Sequence, residues 1–228
     1  MILFGASANG AKERGVNLKF VKGTGTEGRI VKRDIDNFNG KSTISGQESF
    51  KDEPVSQMRK VIAHRLADSK FSAPHFYLTV SINMDNAIAS RLAINKSIAP
   101  AKISFNDFVV KAAAVSLKDH PKVNASWFGD FIRYNDHVHI GVAVAVDEGL
   151  LVPVVRFANE KPLTQIGEEV KTFAKKAKEK KLQPDEWEGN TFTISNLGMF
   201  GIDEFTAIVN PPDACILAIG GIQQVPVV

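Results

Sequence analysis

The chain has 228 residues, 44% of them hydrophobic and 23% charged, which suits one full globular domain plus a small appendage. A formal net charge of +3 is too mild to argue for a nucleic-acid partner, and no run of 18 apolar residues is present to form a membrane-spanning helix. The single cysteine, Cys215, rules out a disulfide framework within the chain and favours a reducing compartment; its apolar neighbours Ala214, Ile216 and Leu217 suggest a buried, reduced thiol.

In chain order, residues 1–38 read as a small basic unit built around the loop Gly23–Arg29 (GTGTEGR). The leading stretch is apolar but has no basic leader, unlike a signal peptide. Asn9-Gly10 interrupts any helix there. Residues 39–53 are polar and rich in Gly and Ser, the composition of a flexible linker. From Pro54 onward the pattern is dense. Met58, Ile62 and Leu66 recur at helical spacing, predicting an amphipathic helix over 55–69 with Arg59 and Arg65 on its other faces. Phe76, Leu78, Val80 and Ile82 alternate, predicting a strand over 75–84 with one buried face. Helices are expected over 84–95 and 106–118, the second capped by Ser104 or Asn106. Residues 138–146 and 150–155 are β-rich runs joined through Asp147-Glu148-Gly149, the pattern of a hairpin. A helix over 164–181 ends in a basic turn, and strands are expected at 191–196 and 214–219. Helices and strands mingle without strict alternation, so an open α/β domain with a mixed sheet is expected.

Several features invite chemistry and are better explained without it. The Gly23–Arg29 loop lacks the Gly-Lys-Ser/Thr ending of a phosphate loop and follows no apolar strand, so a tight structural loop is the better reading. The Lys171–Lys181 run could draw an anionic ligand but reads first as a solvated helix face. Of the five histidines, His64, His75, His120, His137 and His139, the last two share a strand face; no third ligand joins them, so no metal site is expected. His75 reads as structural. No G-x-S-x-G elbow supports a serine hydrolase. The informative stretch is Thr191–Gly220, where Ser195 stands at a strand end before Asn196-Leu197-Gly198 and Gly201. A small donor beside a glycine turn can stabilise charge developing on a reacting carbonyl oxygen, although on the residues alone a strand-ending turn is the better reading.

Thr191–Gly220 (TFTISNLGMFGIDEFTAIVNPPDACILAIG) resembles the active-site strand region of the dihydrolipoamide acetyltransferases, the acyltransferase components of pyruvate and other 2-oxo acid dehydrogenase complexes. Pro54–Lys70, Ala73–Asp85, Lys102–Leu117, His120–Trp127, His139–Val155 and Lys181–Asn190 resemble the same family in the same order, covering nearly all of 54–220. Residues 11–38 are similar to the family's peripheral subunit-binding domain, which docks the dehydrogenase partners, and the glycine loop is then its signature. The resemblance implies three regions: a subunit-binding domain at 1–38 with a degenerate start, a linker at 39–53, and a chloramphenicol-acetyltransferase-like catalytic domain at 54–228. It further implies homotrimers that build a larger core, with 2-oxo acid dehydrogenase and dihydrolipoamide dehydrogenase as partners. The reaction implied is transfer of acetyl from dihydrolipoamide to coenzyme A. Ser195 is then the oxyanion donor, with Arg59, Asn196 and Gly198 supporting the active-site loop.

Three departures from the family shape the expectation. Its general base lies in a DHRxxDG motif, and no His-x-x-x-Asp-Gly occurs in residues 1–228. The catalytic domain is therefore expected to lack its C-terminal segment and its base, a loss that typically costs roughly 10²–10⁴ in rate. The start of the subunit-binding domain departs from the family pattern, putting partner docking in doubt. No lipoyl domain precedes it, so the lipoyl group is expected in trans. The alternative reading is a non-catalytic scaffold subunit that builds the core and docks partners. Cytoplasm is the expected location, with the mitochondrial matrix as the alternative.

Overall fold

The computed structural model describes residues 11–39, 48–147 and 149–226, and the chain divides into two units, Met1–Glu53 and Pro54–Val228. The helix break expected at Asn9-Gly10 and residues 40–47 of the expected linker lie outside the described residues.

In the first unit, Ala11, Val21, Ile30 and Ile35 form a small apolar centre, with Val16, Leu18 and Phe38 packed against it. The glycine loop is structural. A side chain at Gly23 would bring its Cβ to 2.3 Å from the Gly28 carbonyl oxygen, and Gly28 itself has a left-handed backbone (φ +75°). The loop is tied to helix α1 (Lys32–Asp36) by Asp34, which accepts hydrogen bonds from the Thr24 hydroxyl (2.6 Å) and from the backbone N–H groups of Thr24 and Val31 (2.9 Å each). These bonds, led by the Thr24 hydroxyl, hold the Asp34 carboxyl below its usual range.

The second unit begins with helix α2 (Gln57–Ser72), whose expected stripe Met58, Ile62 and Leu66 is half-buried while Arg59 and Arg65 are exposed. Helix α3 is Asp85–Ser97 and helix α4 is Phe105–Asp119. Ser104 caps α4 through a reciprocal pair: its hydroxyl accepts from the Asp107 N–H (3.2 Å), and the Asp107 carboxylate accepts from the Ser104 N–H (2.7 Å). An antiparallel hairpin follows, β1 (Ala125–Trp127) and β2 (Ile132–Tyr134).

The two expected β runs each break in two. The first becomes β3 (Ile140–Val142) and β4 (Val144–Val146); the second becomes β5 (Gly149–Leu151) and β6 (Val154–Val155). β4 and β5 form the expected hairpin, pairing Val146 with Gly149. β3 and β6 enter a different, four-stranded sheet with β7 (Phe192–Asn196) and β8 (Ile216–Ile219), in the order β6-β3-β7-β8. Within it, β3 is antiparallel to β6 and parallel to β7, and β7 is parallel to β8, so the sheet is mixed as expected. Helix α5 (Leu163–Lys178) and the short helix α6 (Pro184–Trp187) lie between β6 and β7.

The core forms where α4 and α5 cover this sheet. Val110, Ala114 and Leu117 from α4 and Ile166 from α5 meet Ile140, Val142, Val155, Phe192 and Ile194. Removing each such branched side chain from water contributes about 1.5–3 kcal/mol. Cys215 is half-buried and packs against this cluster, where burial pushes its thiol above the ordinary value.

One element differs from the sequence expectation. Residues 75–84 form no strand, and Phe76, Leu78, Val80 and Ile82, expected on a buried face, are all exposed. The alternation is present, but among the described residues no second strand pairs with it, and a strand exists only through its ladder. The segment is held instead by side chains. The Thr79 hydroxyl donates to Glu204 (2.8 Å), and His75 places Nδ1 2.7 Å from the Ala73 carbonyl while Nε2 accepts from the Val209 N–H (3.1 Å). Those two contacts assign the Nδ1–H tautomer, and His75 is structural.

Candidate active site

Ser195 and the turn after it stand at the C-terminal edge of β7. Alternation along this strand sends Phe192 and Ile194 into the helix-covered core and Thr193 and Ser195 to the opposite face. Ser195 is paired with Ala218 of β8, and on the other side the Ala143 N–H donates to the Ile194 carbonyl (2.9 Å), so the backbone carrying Ser195 is held from both flanks. The side chain is half-buried, and among the described residues its hydroxyl has no hydrogen-bond partner. A hydroxyl on a fixed backbone with its donor uncommitted can serve an incoming oxygen.

The turn that follows is set by a close crossing of two chain segments. Leu197 N–H donates to the Ile219 carbonyl (3.0 Å) and Gly221 N–H to the Ile202 carbonyl (2.8 Å). A Cβ at Gly198 would lie 2.5 Å from the Gly220 carbonyl oxygen, and one at Gly220 would lie 1.8 Å from that of Asp203. Glycine is required at both positions by contact, while Gly201 is required by its left-handed backbone (φ +72°). Asn196 fixes the same turn: its side-chain oxygen accepts from Gly198 N–H (3.0 Å), and its amide donates to Asn106 on the first turn of α4 (3.2 Å). Ser195, Asn196 and Gly198 thus lie together at this strand end.

Arg59 is placed elsewhere. Its guanidinium donates to the Asp147 carbonyl (3.5 Å) at the tip of the β4–β5 hairpin, and among the described residues it makes no hydrogen bond to the 195–201 turn. The cause is the docking of α2 on β5, where Gly149 lets the Ile62 methyl approach its Cα (3.1 Å from a Cβ built there).

A residue that sequence reasoning missed lies behind the strand. Asp213, 5% exposed, accepts hydrogen bonds at Oδ2 from the Thr193 hydroxyl and the Asn190 amide, both at 2.6 Å. Its Oδ1 is buried without a partner. Burial pushes the carboxyl up to about 6, against the lowering effect of the Thr193 and Asn190 bonds. Its backbone joins β1 to the sheet through the Ser126–Asp213 bridge, with Trp127 N–H donating to Pro212 (3.2 Å) and Ala214 N–H to Ala125 (3.1 Å). The available signal was a lone acidic residue directly before the apolar run Ala214–Ile219.

Two further histidines lie away from this turn. His139 is buried, its Nδ1 accepts from the Phe157 N–H (3.0 Å), and its ring meets Phe157 edge-on. Burial, with smaller effects of the nearby His137, Arg156 and Lys161, keeps it below the ordinary histidine value. His64 faces Asp68 one helical turn along the exposed side of α2 (3.5 Å).

Comparison with known proteins adds the following. Residues 47–228 match the family of 2-oxoacid dehydrogenases acyltransferase (catalytic domain), and residues 10–36 match the e3 binding domain. The chain is similar to the dihydrolipoyllysine-residue acetyltransferase component of the pyruvate dehydrogenase complex of Rickettsia felis, with 45% identity over 218 residues, 92% of this chain and 53% of that protein. The mitochondrial component of Schizosaccharomyces pombe is 44% identical over 231 residues, 92% of this chain and 48% of that one. The chain thus spans about half the length of the curated relatives it matches. Among solved structures, the cubic core of the pyruvate dehydrogenase multienzyme complex matches with a TM-score of 0.75 and 34% identity, covering 78% of this chain and 75% of that chain.

Proposed function

The chain belongs to the 2-oxoacid dehydrogenase acyltransferase family, and from that premise we propose that its second unit transfers acetyl between dihydrolipoamide and coenzyme A, with Ser195 as the oxyanion donor. The observation that carries this reading is the uncommitted hydroxyl of Ser195 on a strand end held from both sides.

Attack of the coenzyme A thiolate on the thioester carbonyl of acetyl-dihydrolipoamide forms a carbon–sulfur bond and moves the carbonyl electron pair onto oxygen. The Ser195 hydroxyl donates its hydrogen bond to that oxygen. Collapse of the tetrahedral species expels the dihydrolipoyl thiolate and leaves acetyl-coenzyme A. Both thiol compounds are substrates brought to the site. The thiol proton must pass to a base, and His75 and His139 are held by the contacts described above.

Donors of this kind typically contribute roughly 2.7–4 kcal/mol to lowering the barrier. Replacing Ser195 by Ala is expected to lower kcat for acetyl transfer by about 10²–10³ with little change in KM. Full activity in Ser195→Ala would end this reading.

The relatives' assembly supports the same picture at larger scale. We infer homotrimers packed into a larger core, with residues 11–38 docking the 2-oxo acid dehydrogenase and dihydrolipoamide dehydrogenase components. The exposed Phe76, Leu78, Val80 and Ile82 favour, as a second reading, a scaffold subunit whose contribution is assembly alone. A protein that forms the core but is indifferent to Ser195→Ala would be that scaffold.

A further inference from the structure

We propose that Asp213 is a positioning residue for the Ser195 hydroxyl, acting through Thr193. The inference rests on the acyltransfer reading of Ser195 and adds a buried group with no contact to substrate.

Thr193 and Ser195 are successive residues on one face of β7. The Ser195 hydroxyl has no bond of its own among the described residues, so its place is inherited from the strand beneath it. On the core side the strand is packed by Phe192 and Ile194. On the opposite face the side-chain anchor next to Ser195 is the 2.6 Å bond from Thr193 to Asp213. Asp213 in turn is fixed by three independent elements. The Asn190 amide binds the same carboxylate oxygen, the Ser126 bridge holds its backbone against β1, and the turn at Asn210–Asp213 is closed by the Asp213 N–H on the Asn210 carbonyl (3.1 Å). One carboxyl therefore gathers β7, the loop entering β7, and the chain entering β8, and its partner Thr193 stands two residues from Ser195. A carboxylate buried with one oxygen unpartnered is costly to keep. An apolar side chain, which offers Thr193 no acceptor, would fill that position more cheaply if packing were its whole role.

The test is a double-mutant cycle in the full protein between Ser195→Ala and either Asp213→Leu or Thr193→Val, with kcat measured per folded molecule. Thr193→Val removes only the hydroxyl donor and keeps the shape, so it serves if Asp213→Leu fails to fold. Each is expected to lower kcat by about tenfold or more with KM unchanged, and to cost nothing further once Ser195 is Ala. Asp213→Asn, which retains an acceptor oxygen, recovers most of the loss. Amide hydrogen exchange gives a readout that needs no activity: Thr193→Val should speed exchange at 193–198 while leaving 140–142 unchanged. Multiplying losses in the cycle, or faster exchange across the whole sheet, would make Asp213 a general stability residue and overturn the proposal. An inert Ser195→Ala would instead sink the acyltransfer reading on which it stands.

Discussion

At the scale of single residues, the buried carboxyl of Asp213 makes stability depend on pH in a definite direction. Its folded pKa of about 6 lies above the ordinary 3.8, so the folded protein binds the proton more tightly than the unfolded chain. The stabilisation is complete below the ordinary value and is lost as pH rises through 6. A shift of this size corresponds to about 3 kcal/mol at neutral pH. His139 acts in the opposite sense: burial lowers its pKa, so its contribution is full above the ordinary histidine value and falls as pH drops below it. Asp213→Asn should raise stability at pH 7.5 by about 1–3 kcal/mol and leave it nearly unchanged at pH 4, as read from urea unfolding at the two pH values. An equal effect at both pH values would show that the carboxyl does not titrate in this window. Ser195, Asn196 and Gly198 were legible because motif and contact are local, within four residues. Asp213 was not, because its partners Thr193 and Asn190 lie 20 and 23 residues away, and burial of a lone acid leaves no periodic trace. Arg59 was readable as a helix-borne cation, but its partner carbonyl at Asp147 depends on how α2 docks.

At the scale of elements, the helices were legible because capping and the 3.6 period act over one turn. α4 starts at the Ser104 cap, and α2 turns its Met58, Ile62 and Leu66 stripe inward. The strands were legible as runs and not as partners. Residues 138–146 read as one strand, yet Val142 and Val144 belong to different sheets, a division set by pairing with β6 and β7 far along the chain. The β1–β2 hairpin escaped notice because three-residue strands carry too little alternation. The contact between α4 and α5 turns on a detail that local pattern does not show. Gly167 on α5 faces the capping carboxylate of Asp107, and a Cβ there would sit 2.8 Å from Oδ2. Ala ordinarily favours a helix interior over Gly by about 1 kcal/mol. Here Asp107 is buried and committed to the Ser104 cap, so it cannot yield without breaking that pair. Gly167→Ala is expected to destabilise despite its propensity gain, and combining it with Ser104→Ala, itself worth about 1 kcal/mol, should be less than additive. Thermal unfolding of the two single variants and the double checks this, and a stabilised Gly167→Ala would show that the two helices separate freely.

At the scale of the molecule, the second unit leaves apolar surface that its own core does not use. The 76–82 segment carries the alternation of a half-buried strand, yet Phe76, Leu78, Val80 and Ile82 are 82%, 84%, 76% and 73% exposed. A lone exposed leucine needs no explanation; four large apolar side chains exposed along one seven-residue segment are apolar surface of the kind that marks an interaction site. On the proposed core assembly, the occupant is a second copy of the chain. Burying such residues at an interface contributes about 1.5–3 kcal/mol each, so introducing a charge among them should be felt strongly. Sedimentation of the full protein should show an assembly larger than a monomer, and Leu78→Glu or Ile82→Glu should dissociate it while leaving far-ultraviolet circular dichroism unchanged. Because Thr79 alternates with these residues and binds Glu204, Thr79→Val serves as the internal contrast: it alters how the segment is held and leaves the apolar face intact. If the charged variants assemble as the parent does, the face at 76–82 is not where copies meet, and the alternation must serve another surface.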